Sequence, residues 1–162
     1  MEDKNVSAVI DIGTNTFNLL IASRSKNGLD ILESHKIAVS LGMGGINEGI
    51  LAVDAIQRAL NAFETFQDIL SNYPLAHPTL IATSAVRDAK NSSEFIALVY
   101  ERFTWEVTVV SGAKEAALIY NGVGLCYDFK ERTMIMDIGG GSTEFIEANK
   151  DGVCSEVSLN IG

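Results

Sequence analysis

The sequence predicts an α/β fold in the order β-β-β-α-β-α-β-α, followed by the opening strands of a second unit. Three observations predict it. Short apolar runs near the start are separated by turn residues. Longer segments with helical spacing then alternate with short apolar runs. Finally, Val9-Ile10-Asp11-Ile12-Gly13-Thr14-Asn15-Thr16-Phe17 returns, altered, as Ile135-Met136-Asp137-Ile138-Gly139-Gly140-Gly141-Ser142-Thr143, 126 positions later. The pattern therefore restarts.

Residues 6–12 form the first β-like run. Residues 17–23 form a second, with Leu20, Ile21 and Ala22, and 29–41 a third, after the turn Lys26-Asn27-Gly28. Short turns make these an antiparallel meander. The glycine-rich stretch 42–49 reads as a flexible loop. A helix follows over 53–70, with Ile56, Leu60, Phe63 and Leu70 on one stripe and Ala59 beside it. Asn72-Tyr73-Pro74 ends it. Residues 79–83 read as a buried strand. The next helix spans 93–103, capped by Ser92 or Ser93, with Glu94 in its first turn. A strand over 105–110 and a helix over 113–125 complete the unit, Gly122 and Gly124 weakening that helix end.

The second unit reads as strands over 133–138, 143–148 and 153–161. Val157-Ser158-Leu159 echoes Val39-Ser40-Leu41. The expected division is a first lobe over 1–128 and an incomplete second lobe over 129–162. A three-stranded sheet needs something on its apolar face. The expectation is therefore a fragment of a longer protein; the alternative is that 133–162 add to the first sheet. In a fragment, 133–161 leave an apolar surface and an edge that a second copy could cover, so a homodimer is considered.

The formal net charge of −9 argues against a nucleic-acid polymer as partner. An anionic ligand would need local backbone N–H groups, a cation such as Mg²⁺ or a few placed basic residues. No apolar stretch approaches the roughly 18 residues of a membrane span, so no membrane partner is expected. The start lacks a signal-peptide pattern, and a cytoplasmic location is expected. Cys126 and Cys154 lack metal-ligand spacing and read as reduced, buried thiols. His35 and His77 stand apart and read as non-catalytic.

Each repeated motif is a strand that delivers an Asp, then a turn whose glycines let backbone N–H groups approach an anion. Hydroxyls of Thr14, Thr16, Ser142 and Thr143 add donors. Asp11 and Asp137 would repel phosphate directly, and suit a hydrated Mg²⁺ or another divalent cation. Ordinary hairpin turns also favour Gly, Asn and Thr; the repetition with Asp in register favours the phosphate reading. Glu115 follows the Ser111-Gly112 turn at a strand end. It suits a general base on water or a residue favoured by the helix dipole. Arg87, after another strand, suits a phosphate clamp or a surface pair with Asp88 or Glu94.

Together these motifs resemble the exopolyphosphatase and guanosine pentaphosphate phosphohydrolase family, of the acetate and sugar kinase, Hsp70 and actin superfamily. The resemblance is carried by Asp11-Ile12-Gly13-Thr14-Asn15-Thr16-Phe17, Ala82-Thr83-Ser84-Ala85-Val86-Arg87, Ser111-Gly112 with Glu115-Ala116, and Asp137-Ile138-Gly139-Gly140-Gly141-Ser142-Thr143-Glu144. It implies two actin-like lobes of ribonuclease-H type. It also implies hydrolysis of terminal phosphate from inorganic polyphosphate or guanosine pentaphosphate. By position, Glu115 matches the catalytic base. Asp11, Asp137 and Glu144 match the acidic, metal-associated positions. Gly13, Thr14, Asn15, Thr16, Arg87, Gly139, Gly140, Gly141, Ser142 and Thr143 match the phosphate-binding elements. Two positions depart from the usual pattern: Lys114 stands where an acidic residue is common, and Asn18 where a basic or ring-bearing polar residue is common. Kinase activity on a sugar or acyl acceptor is the alternative enzyme reading. A nonenzymatic phosphate-ligand sensor or actin-like scaffold is the alternative outside catalysis.

Overall fold

A computed structural model describes residues 6–26, 28–74 and 77–162. The chain forms two compact units, Met1–Val109 and Val110–Gly162.

In the first unit, β1 (Val6–Ile12), β2 (Thr16–Ser25) and β3 (Gly28–Ala38) form the antiparallel meander. β4 (Thr79–Ala82) pairs parallel with β1, and β5 (Val107–Val109) parallel with β4, in the order β3-β2-β1-β4-β5. The period of two puts Ala8, Ile10, Ile12, Phe17, Leu19 and Ile21 on one buried face. Against that core packs α1 (Val53–Leu70), whose buried Ala55, Ala59, Leu60, Phe63, Phe66 and Leu70 recur at helical spacing. Phe63 and Phe66 are fully buried, whereas Ile56 is only partly so.

The end of β3 departs from expectation. The strand stops at Ala38 because residues 39–40 turn to the first Asp–Gly turn. The N–H groups of Val39 and Ser40 both donate to the Asn15 carbonyl, at 3.0 and 2.8 Å. Their own carbonyls accept from Arg58 of α1, at 2.7 and 2.9 Å. The helix thus braces the turn. The glycine-rich stretch after it contains a 3-10 turn, Ile46–Glu48. A Cβ on Gly45 would lie 2.4 Å from the Ile50 carbonyl oxygen, so glycine is required there by close backbone approach.

After β4 comes a four-residue helix, α2 (Ser84–Arg87), absent from the sequence expectation. α3 (Ser92–Phe103) starts after Asn91, and neither Ser92 nor Ser93 caps it. The Asn91 amide is used elsewhere: it accepts from the Leu51 N–H at 2.8 Å and donates to the Leu51 carbonyl at 3.0 Å. Asn91→Ala should leave both backbone groups of buried Leu51 without this partner, at a cost of about 2 kcal/mol. Urea unfolding followed by Trp105 fluorescence checks this; a loss no larger than that of Asn61→Ala, on an exposed helix face, would count against it.

The second unit holds α4 (Gly112–Val123), β6 (Thr133–Ile138), β7 (Thr143–Asn149) and β8 (Gly152–Leu159), paired antiparallel in the order β6-β7-β8. α4 packs on β7 and β8. Ala116, Phe129, Ile146 and Ala148 form its core, and Tyr120 stacks on Phe129 with centroids 4.8 Å apart. Within this unit, residues 110–128 pack with the second meander. Met134, Met136, Ile138, Val157 and Leu159 are exposed, which is the apolar surface the meander was expected to leave. The echo between Val39-Ser40-Leu41 and Val157-Ser158-Leu159 does not mark equivalent places. Ser158 pairs with Glu144 inside the sheet, whereas Ser40 lies beyond β3.

Both cysteines are free and exposed, correcting the expected buried thiols. Cys126 follows α4, and Cys154 lies on β8 where that strand bulges opposite Glu147 and Ala148. His35 bonds to Glu33 at 2.6 Å, and His77 lies outside any helix or strand. Among the described residues, no helix is long and apolar enough to cross a membrane.

Candidate active site

The two Asp–Gly turns have the same construction. In the first, Ile12 pairs with Phe17 and encloses residues 13–16. In the second, Ile138 pairs with Thr143 and encloses 139–142. The Gly13 N–H donates to the Thr16 carbonyl at 3.2 Å, and the Gly139 N–H to the Ser142 carbonyl at 2.9 Å. A Cβ would lie 2.9 Å from that oxygen at Gly13 and 3.0 Å at Gly139. Both positions therefore crowd a side chain against the same carbonyl of the turn.

The residues beyond the turns diverge. Across the first sheet, Asp11, Asn18 and Lys36 stand in register; across the second, Asp137, Glu144 and Ser158 do. Asn18 donates to Asp11 Oδ2 at 3.0 Å. The first row is thus a carboxylate, an amide and an ammonium. The second is two carboxylates and a hydroxyl. Glu144 is only 2% exposed, and Ser158 Oγ donates to its Oε1 at 2.8 Å. Desolvation, and then the Glu144 charge, hold the Asp137 carboxyl above its usual range.

This second row fits a divalent cation, which would offset the mutual repulsion of the carboxylates. Among the described residues, no cluster of three or more His, Cys, Asp or Glu side chains forms a complete protein cage. Two carboxylates suit Mg²⁺, which keeps several waters and shares its coordination with substrate phosphate. Asp11, already bonded to Asn18, lies in the less acidic row.

The remaining predicted residues fall into place by unit. Thr14 is buried, and its hydroxyl bonds to Ser84 Oγ at 3.1 Å, which ties the first turn to α2. Asn15 presents its carbonyl to Val39 and Ser40, while Thr16 opens β2. Arg87 ends α2, with Nε 3.4 Å from Asp88 Oδ1, the pairing that its spacing allowed. Since β1 and β4 run parallel, Asp11, the 13–16 turn and α2 gather at their carboxyl ends, where α/β sheets place sites.

In the second unit, Glu115 lies in the first turn of α4. Ser111 caps that helix, accepting from the Lys114 N–H at 3.3 Å. β8 is close to Gly112: a Cβ there would sit 3.2 Å from Ser158 Cβ, a tight contact. Gly140 and Gly141 form the turn's tip, and the backbone of Gly162 lies against them. Ser142 and Thr143 are buried, and the Thr143 hydroxyl donates to the Ile161 carbonyl at 2.7 Å.

The sequence marks Asn18 as a departure beside the first turn, and it stands 126 positions before Glu144. It does not single out Ser84 or Ser158 as neighbours of the site, because their bonds to Thr14 and Glu144 form only in the fold.

Comparison with known proteins agrees with these features. The family model of the Ppx/GppA phosphatase family matches residues 20–162. The chain is 37% identical to the bifunctional 3-dehydroquinate synthase/phosphatase of Fusobacterium nucleatum, over 96% of the chain and 25% of that protein. It is 35% identical to the guanosine-5'-triphosphate,3'-diphosphate pyrophosphatase of Pseudoalteromonas translucida, over 98% of the chain and 32% of that protein. Its structure is similar to the crystal structure of an exopolyphosphatase from Cytophaga hutchinsonii, with a TM-score of 0.93 and 39% identity over 97% of the chain and 51% of that one. The chain thus spans from a quarter to about half of these relatives' lengths. The likeness bears out the ribonuclease H-like, actin-type fold that the sequence predicts. With the family model covering most of the chain and both glycine turns built alike, the chain belongs to the Ppx/GppA phosphatase family.

Proposed function

We propose that this chain supplies the catalytic groups of a phosphoanhydride hydrolase. It would release terminal phosphate from inorganic polyphosphate or guanosine pentaphosphate, with Mg²⁺ or another divalent cation. The observation that carries the reading is the matched pair of turns, one of them backed by the adjacent carboxylates of Asp137 and Glu144. Two relatives' names, an exopolyphosphatase and a guanosine-5'-triphosphate,3'-diphosphate pyrophosphatase, support the substrate class. In this reading residues 1–128 belong to a first actin-like lobe and 129–162 open a second.

Backbone N–H groups of 14–16 and 140–142 hold phosphate oxygens, and Arg87 adds a charged donor. Asp137 and Glu144, with Asp11 as a further candidate, would hold the cation. When bound, it would neutralise charge on the phosphate oxygens. Glu115 orients a water for in-line attack and accepts its proton. The water oxygen bonds to the terminal phosphorus as its bond to the bridging oxygen breaks, and the bridging oxygen leaves with the shortened substrate.

The test is phosphate release from each substrate, with Mg²⁺ and after chelation, by the protein that carries this chain. Release from either substrate, lost on chelation, is the expected result. ATP-dependent phosphorylation of a small acceptor without such release would overturn the reading in favour of a kinase.

A further inference from the structure

Ser158 meets both parts of the candidate site in the second unit. Its hydroxyl donates to Glu144 Oε1 at 2.8 Å. Its Cβ lies where Gly112, at the start of α4, has no side chain; a Cβ on Gly112 would come within 3.2 Å of it. Three residues beyond Gly112 stands Glu115. One small side chain thus orients a buried carboxylate and sets how closely the Glu115 helix approaches β8.

The sheet itself does not demand a hydroxyl there. In the first unit the residue at the same register position is Lys36, opposite Asn18. The same strand also offers an internal control. Ser155 Oγ donates to Glu147 Oε2 at 3.1 Å, another hydroxyl–carboxylate pair, but outside the site.

We propose that Ser158 is a positioning residue: its hydroxyl fixes Glu144 in the orientation that a divalent cation needs beside Asp137, and its small size lets the Glu115 helix seat on β8. The proposal rests on the hydrolase reading and on cation binding by Asp137 and Glu144. Mg²⁺-like ions tolerate little distortion of their ligands. Groups bonded to a metal ligand therefore act strongly on affinity, about 10-fold or more when removed.

The test is Mn²⁺ binding to this chain, followed by the loss of the free-ion electron paramagnetic resonance signal. Ser158→Ala should weaken Mn²⁺ about 10-fold. Ser158→Thr, which keeps the hydroxyl and faces a glycine, should restore most of the affinity. Ser155→Ala should bind like the wild type. Equal affinity in Ser158→Ala and wild type, the same loss in Ser155→Ala, or no Mn²⁺ binding by the wild type would each overturn the proposal. Phosphate release decides the hydrolase reading separately. The expected Mn²⁺ pattern without release from either substrate sinks that reading and leaves the role of Ser158 standing.

Discussion

Glu115→Gln is expected to lower phosphate release about 10³-fold while leaving substrate binding nearly unchanged. Gln keeps the length and shape of the side chain but cannot take a proton from water. Its placement makes the expectation sharp. Glu115 sits in the first turn of α4, and its N–H donates to the carbonyl of the capping residue Ser111 at 2.9 Å. Backbone bonding and the cap therefore hold the helix start in the variant. Losing the charge near the positive end of the dipole should cost about 0.5 kcal/mol of stability. Urea unfolding of the variant checks that the fold survives, so that an activity loss is attributable to chemistry. Single-turnover phosphate release, beside equilibrium binding of the substrate at the same metal concentration, separates the two effects. Turnover within about 10-fold of wild type is less than a general base supplies and would move that role to another residue.

Much of this arrangement was legible in the chain. β1 and α1 run over 6–12 and 53–70, as alternation and helical spacing predict, because each buries one regular face against one core. The turns were legible because Asp, Gly and their spacing recur together. What escaped involves partners far apart in sequence. Thr14 turns its hydroxyl to Ser84, 70 residues away. Asn91, just before α3, makes no cap bond to that helix and binds Leu51, 40 residues earlier. Side-chain amides compete between local and distant backbone groups, and propensity weighs only the local ones. The packing of α4 was equally hidden, since an amphipathic face does not name the sheet it will cover. The repeat of Val-Ser-Leu misled for a related reason. Register follows from strand pairing and turn length, not from residue identity.

The largest effect on stability is expected at Phe63. This side chain is fully buried in α1. Its ring lies 5.1 Å from Phe17, 6.4 Å from Phe95, 5.7 Å from Phe103 and 6.0 Å from Trp105. It therefore joins β2, α3 and the approach to β5. Phe63→Ala should cost about 4 kcal/mol, combining lost burial with a cavity that rings on several elements cannot all collapse to fill. Against a typical total of about 5–15 kcal/mol, that is a large share. With a urea slope of about 2 kcal/mol/M, the midpoint should fall by about 2 M. Phe63→Leu, which keeps most of the volume, should lose about 1.5 kcal/mol. The sole tryptophan, Trp105, stacks on Phe103 within this cluster and reports the first unit's unfolding by fluorescence. A loss under about 1 kcal/mol for Phe63→Ala would mean the aromatic cluster repacks freely and does not carry the core. The consequence reaches the first turn. Phe17, the ring nearest Phe63, pairs with Ile12 to close residues 13–16. A cavity beneath Phe17 should therefore loosen the turn as well as the core. Backbone amide exchange at 13–16, faster in Phe63→Ala than in Phe63→Leu at equal distance from each midpoint, would show that the aromatic cluster supports the first glycine turn directly.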